Sequence, residues 1–121
     1  MKEYIDEYKE FIRNYKAGVT TGEDVGLLIA QMAQRFVEAN LLYSTALIAY
    51  NKIAAMIEGT TDAGTGKTIS SAKASVMTDA TPESDALIQA KIDVGNLEQI
   101  LNAAKSLQRG IMAEFSHTNN M

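Results

Sequence analysis

The sequence predicts an all-α protein. Two long helices form an antiparallel hairpin, and an N-terminal amphipathic helix with a short connecting helix completes a three- to four-helix bundle. Three observations carry this prediction. Ala, Leu, Ile, Met, Glu, Lys and Gln dominate the 121 residues, with one Pro and no Trp or Cys, which is a helix former's palette. The stretch 25–57 is apolar or small at most positions and carries charge only at Arg35, Glu38 and Lys52. Its polar positions Gln31, Arg35, Glu38, Thr45 and Lys52 fall on one narrow strip of a helix, so the rest of the helix needs cover. Finally, Thr81-Pro82-Glu83-Ser84-Asp85 reads as a helix start: an N-cap, Pro at the first helical position, then acids in the first turn.

The elements follow in order. Residues 2–16 form the first helix, with Tyr4, Tyr8, Phe11 and Tyr15 along one stripe, Ile5 and Ile12 beside them, and charges opposite. The aromatic stripe packs on the long helix; base-stacking platforms come with basic grooves, which this helix lacks. Gly18 closes it as a C′ residue. Thr20 with Glu23, or Thr21 with Asp24, then fits a capping box for the helix over 22–58. The Gly22…Gly26 spacing lies in a polar first turn and carries little weight as a GxxxG motif.

Residues 59–66 read as a mobile loop by composition. Residues 68–77 form a short helix with Ile69, Ala72 and Val76 on one face. The second long helix runs over 82–115. Ala90, Val94, Leu97, Leu101, Ala104, Ile111 and Phe115 follow alternating steps of three and four, with Gln108 as the polar break. Gly95 and Gly110 are costly inside a helix, and a close helix crossing would explain them. The domain spans 1–116, and 117–121 is a flexible polar tail. Each long helix extends about 50 Å at ~1.5 Å per residue.

Composition excludes several chemistries. Without Cys there is no disulfide, thiolate catalysis, or Cys-ligated zinc or iron–sulfur site. The net charge is −4, and each half carries an excess of two acids, so no basic half points to phosphate-backbone binding. The acids after Met1 rule out a signal peptide. The uncharged run 39–51 is far short of the ~20 residues a spanning helix needs. The expected location is the cytoplasm, with no membrane partner.

The chain holds one histidine, His117, in the tail, a poor base for a Ser-His-Asp arrangement. No His or Cys cluster binds a transition metal. Asp93 reads as a helix-edge charge, and Lys105 with Arg109 as a solvated basic pair. The run Gly64-Thr65-Gly66-Lys67-Thr68 catches the eye as a phosphate loop. That motif needs a glycine five residues before Gly66, where Thr61 stands, and a strand before it. No catalytic residue, cofactor or metal is expected, and the protein reads as a non-enzyme.

The segments Thr21-Gly22-Glu23-Asp24-Val25-Gly26-Leu27-Leu28, Ile69-Ser70-Ser71-Ala72-Lys73-Ala74 and the run from Asn96 to Gly110 resemble small all-helical proteins encoded by phages and integrated elements of gut bacteria. The likeness is one of layout across most of the chain. Such proteins mostly lack assigned functions, so the resemblance implies a phage or mobile-element setting and carries no residue roles.

Three functions are compatible with these readings. The first is a non-enzymatic interaction protein that forms a homo-oligomer through Leu41, Tyr43, Leu47, Ile48 and Tyr50 and binds another protein. Neither the 2–16 helix nor the 68–77 segment is long enough to cover the long apolar helix, so part of that patch faces outward in a monomer. The second is a nucleotide or other small-ligand sequestering protein that uses Gly64, Gly66, Lys67 and Thr68, since a glycine-rich backbone can hold an anion. The third is an accessory factor in phage DNA recombination or replication. There oligomerisation would gather Lys67, Lys73, Lys105 and Arg109; nucleic acid is the less favoured partner.

Overall fold

The computed structural model describes the backbone of residues 3–119 and the side chains of residues 3–114. It contains four helices: α1 (Glu3–Lys16), α2 (Gly22–Glu58), α3 (Ser71–Asp79) and α4 (Pro82–Asn119). No strand is present among the described residues; a single antiparallel bridge joins Thr61 to Thr68. The all-α hairpin bundle is therefore the fold, with α2 (37 residues) and α4 (38 residues) as its long arms.

The helix boundaries are set by local chemistry. Gly18 takes φ +76° and ends α1 in a Schellman motif: Val19 N–H donates to Asn14 O (3.2 Å) and Gly18 N–H to Tyr15 O (3.1 Å). At the start of α2 the capping box is the Thr21–Asp24 pair. Asp24 N–H donates to Thr21 Oγ1 (3.2 Å), and Thr21 N–H donates to Asp24 Oδ2 (2.9 Å). The short helix begins later than 68. Thr68 is held in the bridge to Thr61, Ile69 is buried, and Ser70 caps α3 by accepting from Lys73 N–H. Thr81 caps α4 as expected, its Oγ1 accepting from Ser84 N–H (3.2 Å) while donating to Thr78 O (2.6 Å). Helix α4 continues to Asn119, into the stretch expected as a tail. The side chains of Phe115 and His117, and residues 120–121, lie outside the described residues.

Contacts gather the described residues into two compact units. The first holds the residues up to Ala39 and those from Asp93 onward; the second is Asn40–Ile92. In the first unit Tyr4 of α1, Leu28, Met32 and Ala39 of α2, and Leu97, Leu101 and Ala104 of α4 form the core. Gly22 lies next to Ile111 and Gly26 next to Gln108, so α2 and α4 run antiparallel here. A Cβ at Gly22 or Gly26 would meet its neighbour at 3.7 Å, an ordinary contact, so neither glycine is required for packing. In the second unit the buried residues are Ile69, Ala74, Thr78, Ser84, Leu87 and Ala90.

Two expectations need correction. Gly95 and Gly110 face open space, with nothing within 4 Å of a Cβ built there; no close crossing explains them. Asp93 is no edge charge: it is 6% exposed. Its position beside the Ala90–Val94–Leu97 stripe turns it inward, and Tyr4 Oη donates to its Oδ1 at 2.7 Å.

Candidate functional site

The glycine loop is closed by its own hydrogen bonds. Asp62 N–H donates to Lys67 O (2.6 Å), Gly66 N–H to Asp62 O (2.8 Å) and Ile69 N–H to Thr60 O (3.0 Å). The Asp62 side chain turns back into the loop, where Gly64 N–H donates to Oδ1 (2.8 Å) and Lys73 Nζ sits 3.6 Å from Oδ2. These contacts, the Gly64 amide first and the Lys73 charge second, hold the Asp62 carboxyl below the usual carboxylate range. Gly66 adopts φ +67°, which makes the turn. Lys67 is exposed, and its backbone N–H donates to Thr65 Oγ1 (3.3 Å).

The four loop residues singled out as a ligand site are thus together. The loop amides that an incoming phosphate would use already serve Asp62, Thr65 and the loop's own carbonyls. In effect the loop folds around an internal anion, the Asp62 carboxylate. The signal for this was Asp62 itself, two residues before Gly64, the Asx-turn spacing.

The five residues singled out as an interface divide into two groups. Leu41 and Ile48 point out of the second unit, 65% and 57% exposed, whereas Tyr43, Leu47 and Tyr50 are half-buried. Helical spacing explains the split. Tyr43, Leu47, Tyr50 and Ile57 lie on the inward face, where Tyr50 Oη donates to Asp79 Oδ1 (3.4 Å). The outward strip is Leu41, Ser44, Ile48, Asn51 and Ala55, at alternating steps of three and four. All five are exposed and none is charged. Leu42 and Met56, also more than half exposed, flank it. Ser44, Asn51 and Ala55 were missed because each is bland alone; only their register with Leu41 and Ile48 marks them.

In the first unit a buried polar cluster joins α1 to α4. Asn96 Nδ2 donates to Tyr4 Oη (3.3 Å), which donates in turn to Asp93. Burial pushes the Tyr4 phenol pKa up; the bond from Asn96 lowers it, and Asp93 raises it further. Arg35 of α2 reaches α1, with Nη2 2.8 Å from Glu7 Oε1 and 3.5 Å from Glu3 Oε2.

Two clefts open on the first unit. One, of about 420 Å³, is lined by neutral residues that include Tyr4, Tyr8, Asn96 and Gln99. The other, of about 370 Å³, lies between α1 and the start of α2 and has an acidic lining. Among the described residues no group of His, Asp or Glu could hold a metal ion, and no helix is long and apolar enough to cross a membrane. No protein family, curated protein or solved structure matches the chain.

Proposed function

We propose that this chain is a non-enzymatic interaction protein that works as a homo-oligomer. A second copy covers the outward strip of α2 in the second unit, and the assembly serves as a platform for another protein. The observation that supports this reading is the strip Leu41, Ser44, Ile48, Asn51, Ala55. Five exposed, uncharged positions in succession follow a seam spacing on a helix that has charged residues available elsewhere. A solvated helix face normally carries charge, and soluble monomers rarely expose apolar patches beyond a few hundred Å². A second copy is the fitting occupant because such a strip is self-complementary about a two-fold axis, the commonest closed symmetry. A polar Asn within an apolar seam is also a device that sets register between identical helices. The setting we assign is cytoplasmic and encoded by a phage or mobile element of gut bacteria, on the strength of the likeness in layout.

Light scattering on the purified chain tests the proposal. The expected result is a particle of at least twice the 13.1 kDa chain mass at micromolar concentration. Leu41→Glu with Ile48→Glu should return it to the monomer mass with helical circular dichroism intact. A folded, monodisperse wild-type monomer under these conditions would overturn the reading.

A further inference from the structure

The outward strip of α2 does not stop at Leu41. Its alternating steps of four and three, continued toward the start of the helix, give Val37, Gln34, Ala30 and Leu27. All four are exposed and uncharged; Val37 is 59% and Leu27 64% exposed. α2 is one uninterrupted helix, Gly22–Glu58, so its register carries through from Leu27 to Ala55. That seam runs for about four heptads, or about 42 Å at ~1.5 Å per residue. The next positions in the same register are Glu23 before it and Glu58 after it. The seam is therefore uncharged throughout and closed by an acid at each end.

The end charges and the residue pattern fix how a second copy lies on this seam. A parallel pair stacks Glu23 on Glu23 and Glu58 on Glu58, and like charges brought face to face are costly. An antiparallel pair avoids both clashes. With Val37 opposite Ile48 of the second copy, Gln34 faces Asn51 and Ala30 faces Ala55. Amide then meets amide and apolar meets apolar, while Leu41 faces Ser44 across the two-fold axis. Sliding the copies by one heptad is unfavourable in both directions. One slide brings Glu38, beside the seam, against Glu38 of the second copy; the other sets Leu41 against Asn51 and Ile48 against Ser44. We infer that the second copy binds along the whole of α2 as an antiparallel coiled coil, in the register that sets Val37 opposite Ile48. The inference rests on the self-association proposed above and gives it a direction and a register.

The chain has no cysteine, so single cysteines report the pairing directly. Val37→Cys and Ile48→Cys are made separately in the full chain, mixed in equal amounts, refolded together and oxidised with diamide. The antiparallel register places Val37 about 16 Å along the axis from its own copy, and Ile48 likewise, beyond the ~7 Å Cα reach of a disulfide. The mixture should therefore give a disulfide-linked dimer containing one chain of each kind. It should form on the order of tenfold faster than a dimer of either variant alone, since only the mixed pair lies within disulfide reach. Light scattering adds a second readout. Val37→Glu should reduce the particle to the chain mass with helical circular dichroism intact. Leu42→Glu, exposed but off the seam, should leave the wild-type mass unchanged. Faster cross-linking of either single variant than of the mixture would overturn the inference. So would a wild-type dimer whose cysteine variants do not cross-link, or a Val37→Glu particle of wild-type mass. Each of those results leaves self-association standing, whereas a folded wild-type monomer removes both readings.

Discussion

Tyr4 and Asp93 show how one misplaced side chain changes the reading of a helix. Tyr4 is fully buried, and a buried phenol requires a partner; Asp93 provides it from 89 residues away. Tyr4→Phe removes the donor while keeping the ring. The expected cost is about 1–3 kcal/mol, because a buried carboxylate loses a hydrogen bond; urea unfolding with an unchanged slope measures it. Ionisation follows the same logic. With its pKa raised in the folded state, Tyr4 contributes stability that is complete below the ordinary tyrosine pKa of about 10 and is lost as pH rises through the higher folded value. An absorbance titration should show a late-ionising phenol, and Tyr4→Phe should remove that component.

Asp62 has the opposite sign. Its depressed pKa gives stability that is present above the ordinary carboxylate pKa and lost as pH falls through the lower folded value. Lys73→Ala should move the Asp62 titration, read from the Gly64 amide shift, back toward the ordinary carboxylate value; no movement would show that the backbone amide alone holds it.

Among the elements, capping chemistry and the pairing of α2 with α4 were legible in the sequence, and contacts across loops were not. Thr-Pro-Glu-Ser-Asp marks the start of α4 because each residue type satisfies a distinct need of a helix end, and those needs are local. The same holds for Gly18 and for the start of α2, where two capping boxes were possible and only geometry selects Thr21 with Asp24. The starts of α2 and α4 were placed within a residue or so for this reason. The start of α3 was not, since the Thr61–Thr68 bridge that delays it is a contact across a loop.

Thr81→Ala should destabilise the protein by roughly 0.5–2 kcal/mol, the usual cost of an N-cap. Thr81 also donates to Thr78 O in the corner between α3 and α4, which argues for the upper half of that range. Gly95 and Gly110 are the converse case. Both are helical and meet no neighbour, so Gly95→Ala and Gly110→Ala should each stabilise the chain by roughly 0.5–1 kcal/mol, by restricting the unfolded chain. A loss of stability at either site would mean that the glycine serves a contact made only in an assembly. Thermal and urea unfolding of the two variants, compared at one protein concentration, decide between these outcomes.

At the scale of the whole molecule, the sequence showed that α2 has more apolar surface than its own chain can cover, but not which residues remain uncovered. Hydrophobicity alone grouped Leu41 with Tyr43, Leu47 and Tyr50. The angular position of the inward face, set by packing in the second unit, separates them. The outward strip makes a thermodynamic prediction. If a second copy covers it, unfolding releases two chains from one particle, and stability depends on protein concentration by mass action. For a chain of this size each tenfold rise in concentration should raise the melting temperature by about 3 °C, given the unfolding entropy per residue. Leu41→Glu with Ile48→Glu should abolish the dependence, because the charged strip no longer pairs, while the cores of both units remain untouched. Substituting Tyr43 instead would disturb the inward face and lower the melting temperature at every concentration. A wild-type melting temperature that stays constant from one to one hundred micromolar, with reversible two-state unfolding, would mean that water covers Leu41 and Ile48.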